Sequence, residues 1–440
     1  MIKTTAGALE IVGTLQGRGF AAYLVGGCVR DSLLGLAPSE WDITTSAKPD
    51  EVMKLFARTV PTGLDYGTVT VLLADGQYEV TTFRSDEQYV DGRHPLNVRF
   101  TDDIHKDLSR RDFTINALAY DPATGRLIDD FNGRTDLKNK VIRTVGDPVA
   151  RFSEDGLRPV RACRFAAKLE FQIEPQTFAA IPKTLAVAGK VALERVHDEL
   201  VKLLAADRPS IGLELMRKSG LLKLFLPELV ACVGVSQPPE YHKYDVYWHS
   251  LYACDAAPRT DPVLRLAILL HDIAKPQCKV ENTFYNHDQA GAAQAEQIMK
   301  RLKFSGADSA RVANLVANHM FDYRADWSDS AVRRFLRRIG GPANVPDLFA
   351  VRRADVAAMV RVNNGEYLVE LQKRIDKIVE EENALHVNDL KVDGHDVMSV
   401  LNLMPGPRVG QILNDLLEQV LDDPGLNERE TLLKLIKAHA

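Results

Sequence analysis

The stretch Leu24-Val-Gly-Gly-Cys-Val-Arg-Asp31, followed by Glu40-Trp-Asp-Ile-Thr-Thr45, decides how the first third of this chain folds. The apolar run Ala21–Val25 leads as a strand into Gly26-Gly27, where backbone N–H groups can approach an anion closely. A helix N-terminus follows and adds positive dipole character. That is a place to hold a triphosphate. Glu40 and Asp42, at i and i+2 in a predicted short strand, put both carboxylates on one side and Trp41 on the other. Two acids so close repel unless divalent cations bridge them, and paired hard cations on carboxylate oxygens serve in-line phosphoryl chemistry. Singly, a Gly-Gly marks a turn and an acidic pair a solvated edge. In this order and spacing the combination is far more specific.

These residues resemble the nucleotidyltransferases of the polymerase beta superfamily, in particular the class II CCA-adding enzyme and bacterial poly(A) polymerase family, whose pattern is Gly-Gly-x-Val-Arg-Asp and then Asp-x-Asp-Ile-x-Thr. Glu40 stands where that family most often has Asp, keeping the charge on an arm one methylene longer. The resemblance implies Glu40 and Asp42 as catalytic Mg²⁺ ligands, with Gly27 and Arg30 on the nucleotide.

Residues 60 to 100 read as β-rich, with Tyr66–Leu73 and Gln77–Arg84 as strands joined by a turn at Asp75-Gly76. Glu79 is a candidate third carboxylate. The polar segment Ser85–Pro95 reads as a loop, similar to the flexible loop that full CCA-adding members possess and CC-only relatives lack. Asp107-Leu-Ser-Arg-Arg-Asp-Phe-Thr-Ile-Asn-Ala117 matches another family motif. In it Arg111 can fork onto phosphate oxygens, while Asp112 and Asn116, about one helical turn apart, can hydrogen-bond a ribose or triphosphate. The competing use of Asp112 is as a helix cap.

From about residue 150 the chain reads as helical. Asp155, Arg158, Arg161 and Arg164 recur every three residues, which on a helix aligns one acid with a ladder of guanidiniums. Cytosine and adenine each present an amine donor beside a ring-nitrogen acceptor; uracil and guanine present the reverse. An Asp acceptor next to an Arg donor fits only the first pair, because mismatched polar edges in a closed pocket are penalised. The segment is similar to the family's Glu-Asp-x-x-Arg motif. That implies base reading by Asp155 and Arg158, with Arg161 and Arg164 nearer the phosphates. Glu194-Arg195 through Leu204 resembles the family's Glu-Arg-x-x-x-Glu-Leu helix, which packs behind this segment in a structural role.

A second constellation comprises His249, the adjacent pair His271-Asp272, and then His287, His319 and Asp355. Each falls where His-Asp (HD) phosphohydrolase domains tend to have ligands. The resemblance implies one metal on His249, His271, Asp272 and Asp355, and a second ion or a phosphate at His287 and His319. Mixed imidazole and carboxylate suits a transition metal better than magnesium. Such a site either hydrolyses phosphomonoesters or 2′,3′-cyclic phosphates at damaged tRNA ends or holds the fold. His395-Asp396 lacks a comparable ligand series and reads as coincidental.

At 440 residues the chain exceeds what a single core supports, so several domains are expected. The expected fold class is α+β: a polymerase-beta-like head with a mixed sheet at 1–149, a helical neck at 150–230, an HD domain at 231–362 and a helical tRNA-binding tail at 363–440. The net charge of −5 requires patchy positive potential for an RNA partner. Arg333, Arg334, Arg337 and Arg338 form one candidate stripe, and the turn Pro405–Gly410 before an amphipathic helix is a candidate phosphate contact or a capped helix start. The five cysteines lack metal or disulfide spacing. No apolar run approaches the ~20 residues that span a bilayer, and Met1–Ala6 lacks a signal-peptide pattern, so a cytosolic protein is expected. The implied partners are the tRNA 3′ end, CTP and ATP, with no membrane and no obligate protein partner evident. The function so read is untemplated addition of C, C and A to tRNA. The alternatives are poly(A) synthesis, CC-only or A-only addition, a silent RNA-binding protein, or the HD site as the main activity.

Overall fold

The computed structural model describes residues 2–89, 95–360, 365–381 and 384–439, with backbone alone at 86–89 and 95–98. It divides into two compact units, residues 1–230 and 231–440. In the first, Thr5 caps helix α1 (Ala6–Gly17), which buries Ile11, Val12 and Leu15. Strand β1 (Ala22–Val25) then enters helix α2 (Gly27–Leu33) through Gly26. There follow β2 (Asp42–Thr45), β3 (Thr59–Gly63), β4 (Thr68–Leu73) and β5 (Gly76–Thr82). A separate hairpin, β6 (Arg84–Tyr89) with β7 (Pro95–Phe100), precedes the short strands β8 (Ala119–Tyr120) and β9 (Leu127–Ile128).

Seven of these strands form one mixed sheet in the order β3-β4-β5-β2-β1-β8-β9, the architecture expected for the head. Its joins are antiparallel except that of β2 with β5, which runs parallel and sets Asp42 beside Glu79 in register. Paired residues on neighbouring strands share a face of the sheet, so carboxylates distant in sequence meet here.

Three local expectations change. Strand β2 begins at Asp42, so Glu40 lies just ahead of it and exposed, while Trp41 is buried. The β4–β5 turn is Ala74-Asp75, with Gly76 already paired to Leu73. Ser85–Tyr89 and Pro95 belong to the β6–β7 hairpin rather than a loop, and the remainder of the proposed loop, 90–94, lies outside the described residues. Backbone pairing needs no apolar residues, so composition underestimates such strands.

After β9 the unit is helical apart from a two-residue parallel pair, Val141–Ile142 with Gln172–Ile173. Helix α3 (Pro148–Glu154) ends at Asp155, whose backbone is extended at φ −140°, and helix α4 (Arg158–Leu169) starts afresh. Asp155 therefore leaves the face shared by Arg158, Arg161 and Arg164, and the continuous ladder is broken. The cause is local: the Asp155 carboxylate accepts the Leu157 N–H at 3.0 Å, and Pro159 occupies the first turn of the new helix, where its missing N–H costs nothing. Helix α5 (Leu193–Leu204) packs on α4.

The second unit contains α6 (Val246–Ala256), α7 (Pro262–Leu270), α8 (His287–Arg301), α9 (Gly306–Asn318), α10 (Asp329–Arg338), α11 (Val345–Ala357) and α12 (Pro407–Asp422). Asp245, Asp261, Ser305 and Ser328 cap α6, α7, α9 and α10 through side-chain acceptors, which fixes where each helix starts. The arginine stripe on α10 is not a free basic surface. Arg333 is buried and donates to Leu421 O at 2.7 Å, Arg334 binds Glu418 and Asp422, and Arg337 binds Glu418 and Asn414, so three of the four serve to dock α12. Asp396 caps its own helix and pairs with Arg429, in keeping with a structural His395-Asp396.

Candidate active site and metal centre

In the first unit the Gly-Gly turn, the start of β2 and the face of α4 from Arg161 to Lys168 border a cavity of about 550 Å³. Gly26 has φ +76°, and a Cβ there would lie 3.0 Å from Arg111 Nη1 and 3.7 Å from Asp42 Oδ2. Glycine is favoured at 26 by its backbone conformation and by the close approach of Arg111, while the Asp42 distance is an ordinary contact. Gly27, the glycine singled out from sequence, is helical with only an ordinary contact to Arg30, so the stricter demand falls on its neighbour.

A continuous polar network lines the wall. Arg30, 3% exposed, donates to Asp31 and to Asn116 Oδ1 at 2.7 Å each. Asn116 in turn donates to Asp112 Oδ1 at 3.0 Å, and Arg161 donates to Asp112 Oδ2 at 2.9 Å. Arg161 also reaches Glu199 at 3.3 Å, and Glu199 accepts from Arg164. Asp112 and Asn116 are therefore joined by a direct bond, in an extended segment and a 3₁₀ turn rather than along an α-helix. Burial alone would raise the Asp112 carboxyl, but the charge of Arg161 and the bonds from Asn116 and Arg161 hold it at about 2. Arg111 pairs with Asp107 at 3.3 Å. The Phe165 ring gathers three guanidiniums, with Arg164, Arg30 and Arg161 at 3.9, 5.0 and 5.4 Å from its centroid.

Asp42 has the opposite electrostatics. Burial raises its carboxyl to about 6, the nearby Arg111 opposes this, and Glu79 and Glu40 push it up further. The repulsion of Asp42 by Glu79 and Glu40 is of the kind that a divalent cation on oxygen ligands relieves, but the three carboxylates do not converge on one point as the second-unit groups do. Asp155 and Arg158 lie off this cavity. Asp155 takes a two-pronged bond from Arg195 at 3.1 and 2.8 Å, and Arg158 is bound to Glu154 and to the carbonyls of Arg151 and Arg110.

In the second unit all six sequence-predicted ligands converge. His249, His271 and Asp355 form one triad, and Asp272, His287 and His319 another. Asp272 joins them, with Oδ2 at 3.2 Å from His271 and Oδ1 at 3.3 Å from His287. The expected division, which grouped Asp272 with the first triad alone, is thus replaced by a carboxylate lying between both. Three imidazoles are aimed by the same device: Nδ1 of His271, His287 and His319 meets the carbonyl three residues earlier, at 2.6, 2.7 and 2.7 Å. That bond places a proton on Nδ1 and turns Nε2 inward. His287 Nε2 and His319 Nε2 then face each other at 3.3 Å, an arrangement that a shared cation satisfies. Asp272 stays well below the usual carboxylate range because His271 and Lys275 outweigh its burial. Among the described residues, no helix is long and apolar enough to cross a membrane.

The profile of the Poly A polymerase head domain matches residues 22–143. That of the probable RNA and SrmB-binding site of polymerase A matches 170–232, and a putative tRNA nucleotidyltransferase domain 2 matches 284–436. The CCA-adding enzyme of Streptococcus suis strain 05ZYH33 is 31% identical, covering 98% of this chain and 96% of that protein. That of Enterococcus faecalis is 32% identical, covering 98% and 95%. The chain belongs to the CCA-adding enzyme family. A solved CCA-adding enzyme, from Bacillus stearothermophilus in complex with CTP, superposes with a TM-score of 0.76 at 28% identity, over 98% of this chain and 96% of that one.

The residues of the second-unit centre that were not singled out from the sequence are supporting ones. Lys275 donates to Asp272 at 2.7 Å and Arg352 to Asp355 at 2.9 Å, each three residues from the acid it serves. That spacing is one helical turn and was readable. His242, whose ring meets that of His249 at 4.9 Å, has no such cue because a loop carries it there.

Proposed function

We propose that this chain adds C, C and A in turn to the 3′ end of tRNA from CTP and ATP, without a template, and that the first-unit cavity is the transfer site. The observation that carries this is the convergence of the Gly26-Gly27 turn, Asp42 and the Arg30–Glu199 network on one space of triphosphate size. Backbone N–H groups at the start of α2 donate to the triphosphate, and Arg30 and Arg111 orient its oxygens. Glu40 and Asp42, with Glu79 beside them, hold Mg²⁺, which when bound activates the attacking 3′-hydroxyl and neutralises the departing pyrophosphate. Asp155 and Arg158, although outside the cavity's lining, are given the base edge by the Glu-Asp-x-x-Arg motif they occupy. Arg195 fixes the Asp155 carboxylate and leaves it lone pairs for an exocyclic amine, while Arg158 keeps N–H groups beyond those its three partners take. The working parts are a head at 1–149, a neck at 150–230, an HD domain at 231–362 and a tail at 363–440.

For the second unit the reading is a metal-dependent phosphohydrolase for phosphomonoesters or 2′,3′-cyclic phosphates. Inward-turned imidazoles favour a transition metal over magnesium. Lys275 and Arg352 line its cavity of about 360 Å³ and give an incoming phosphate two positive charges.

The test is incubation of purified protein with tRNA lacking one, two or all three terminal nucleotides, and with each NTP separately. Stepwise CMP, CMP and AMP incorporation is expected. A homopolymeric A tail, or extension stopping after CC, would assign the rival activities, and no incorporation from any NTP would refute transfer.

A further inference from the structure

The ionisable lining of the first-unit cavity balances when four guanidiniums, Arg30, Arg111, Arg161 and Arg164, are set against Asp31, Glu40, Asp42 and Asp112. Each of these arginines is also engaged by an acid, namely Asp31, Asp107, Asp112 and Glu199 respectively. A balanced wall is a poor receptor for a polyanion. Two further cations line the same cavity and have no role in the site as read above: Lys168 in the last turn of α4 and Lys202 in the last turn of α5. They alone turn the lining net positive.

Neither donates a side-chain hydrogen bond among the described residues, and Lys168 has only a long ion pair with Asp31. Lys202 is exposed, and no acid or acceptor pairs with it among the described residues. The nearest carboxylate oxygen to Lys168 Nζ is Asp31 Oδ2 at 3.8 Å, beyond hydrogen-bond reach, on an acid that Arg30 already holds at 2.7 Å. Lysines in last turns also complement helix dipoles. That role accounts for their place along each helix, but two separate helices turn these ends to the wall that holds the Gly26-Gly27 turn and Asp42.

We propose that Lys168 and Lys202 form a phosphate-binding pair, a subsite of the transfer cavity that takes either the triphosphate of the incoming nucleotide or a backbone phosphate of the acceptor strand. This inference rests on the reading of the cavity as the transfer site. The experiment uses the full chain with Lys168→Gln, Lys202→Gln and both. It measures KM for CTP at saturating tRNA lacking its CCA end, and KM for that tRNA at saturating CTP between about 50 and 200 mM salt. The double variant should raise one KM about tenfold with kcat nearly unchanged, and Lys→Arg at both positions should restore it. If the nucleotide is the source, KM for CTP moves. If the RNA is, KM for tRNA moves and its logarithmic salt slope falls by roughly one to two. Wild-type inactivity would sink the transfer reading itself, whereas an active wild type with both KM values in the double variant within twofold would sink the lysine pair. Should Lys168→Gln not fold, exposed Lys202→Gln carries the same test.

Discussion

Asp42 in the first unit and Asp272 in the second are both candidate metal ligands, yet their surroundings are opposite. Asp42 is half-exposed, lies near two other carboxylates and is pushed up to about 6, whereas Asp272 is 1% exposed, faces four imidazoles and is held low. The first site is partly open and oxygen-rich, surroundings of the kind that suit a hard cation. The second is closed and preset, three of its rings locked by backbone carbonyls before any ion binds. The difference teaches that a carboxylate's electrostatics follow from its neighbours, so that mutation of each aspartate tests one site at a time.

The sharpest way to break the comparison is Asp42→Ala. It should lower both C and A incorporation by at least about a thousandfold while tRNA binding, measured by filter retention, stays within a few-fold of wild type. Near-normal incorporation would remove the oxygen-rich site from the mechanism. The converse variant, Asp272→Ala, should abolish Ni²⁺-, Co²⁺- or Mn²⁺-dependent hydrolysis of phosphomonoesters and cyclic phosphates and empty the purified protein of bound metal. CCA addition should remain within about twofold of wild type. Loss of CCA addition at an unchanged melting temperature would make the second unit part of the transferase, and wild-type inertness with all three metals would make its centre structural.

A smaller effect sharpens the picture of base choice. Arg158→Ala should reduce the kcat/KM ratio of CTP over UTP by roughly ten- to a hundredfold, the worth of one lost pairing partner at ~1 to 3 kcal/mol. An unchanged ratio would move base reading elsewhere.

The smallest effect concerns stability. Asp112, depressed from an ordinary 3.8 to about 2, contributes stability that is fully present above pH 4 and is lost as pH falls through the folded value. Asp112→Asn should therefore cost about 2 kcal/mol in urea unfolding at pH 7 and progressively less as pH falls from 4 toward 2. A pH-independent difference would mean that the charge is not what Asp112 supplies.

Much of this was legible in sequence because some constraints are local. The strand, Gly-Gly turn and helix at Ala22–Leu33 follow from residue types in order, and the six histidine and aspartate candidates were found through the order they share with HD domains. Other features turn on who the partner is. The α10 arginines have an ideal basic pattern, but whether they meet solvent or α12 depends on residues more than seventy positions away. The Asp155–Arg164 ladder failed because one side chain captured a backbone N–H two residues on, a competition that helical spacing cannot register.

By itself the sequence determined most element types, the Gly-Gly turn between strand and helix and which residues could serve as phosphate or metal partners, since these depend on side-chain chemistry and short-range backbone preference. Only the tertiary structure decided that β2 and β5 run parallel so that Glu79 stands beside Asp42, that the stricter demand for glycine falls on Gly26 rather than Gly27, and that Asp272 lies between two triads. The physical reason is common to all three. Each is a relation of a few ångströms between groups that the chain brings together from far apart, and charge, burial and steric contact act through that distance and not through separation along the sequence.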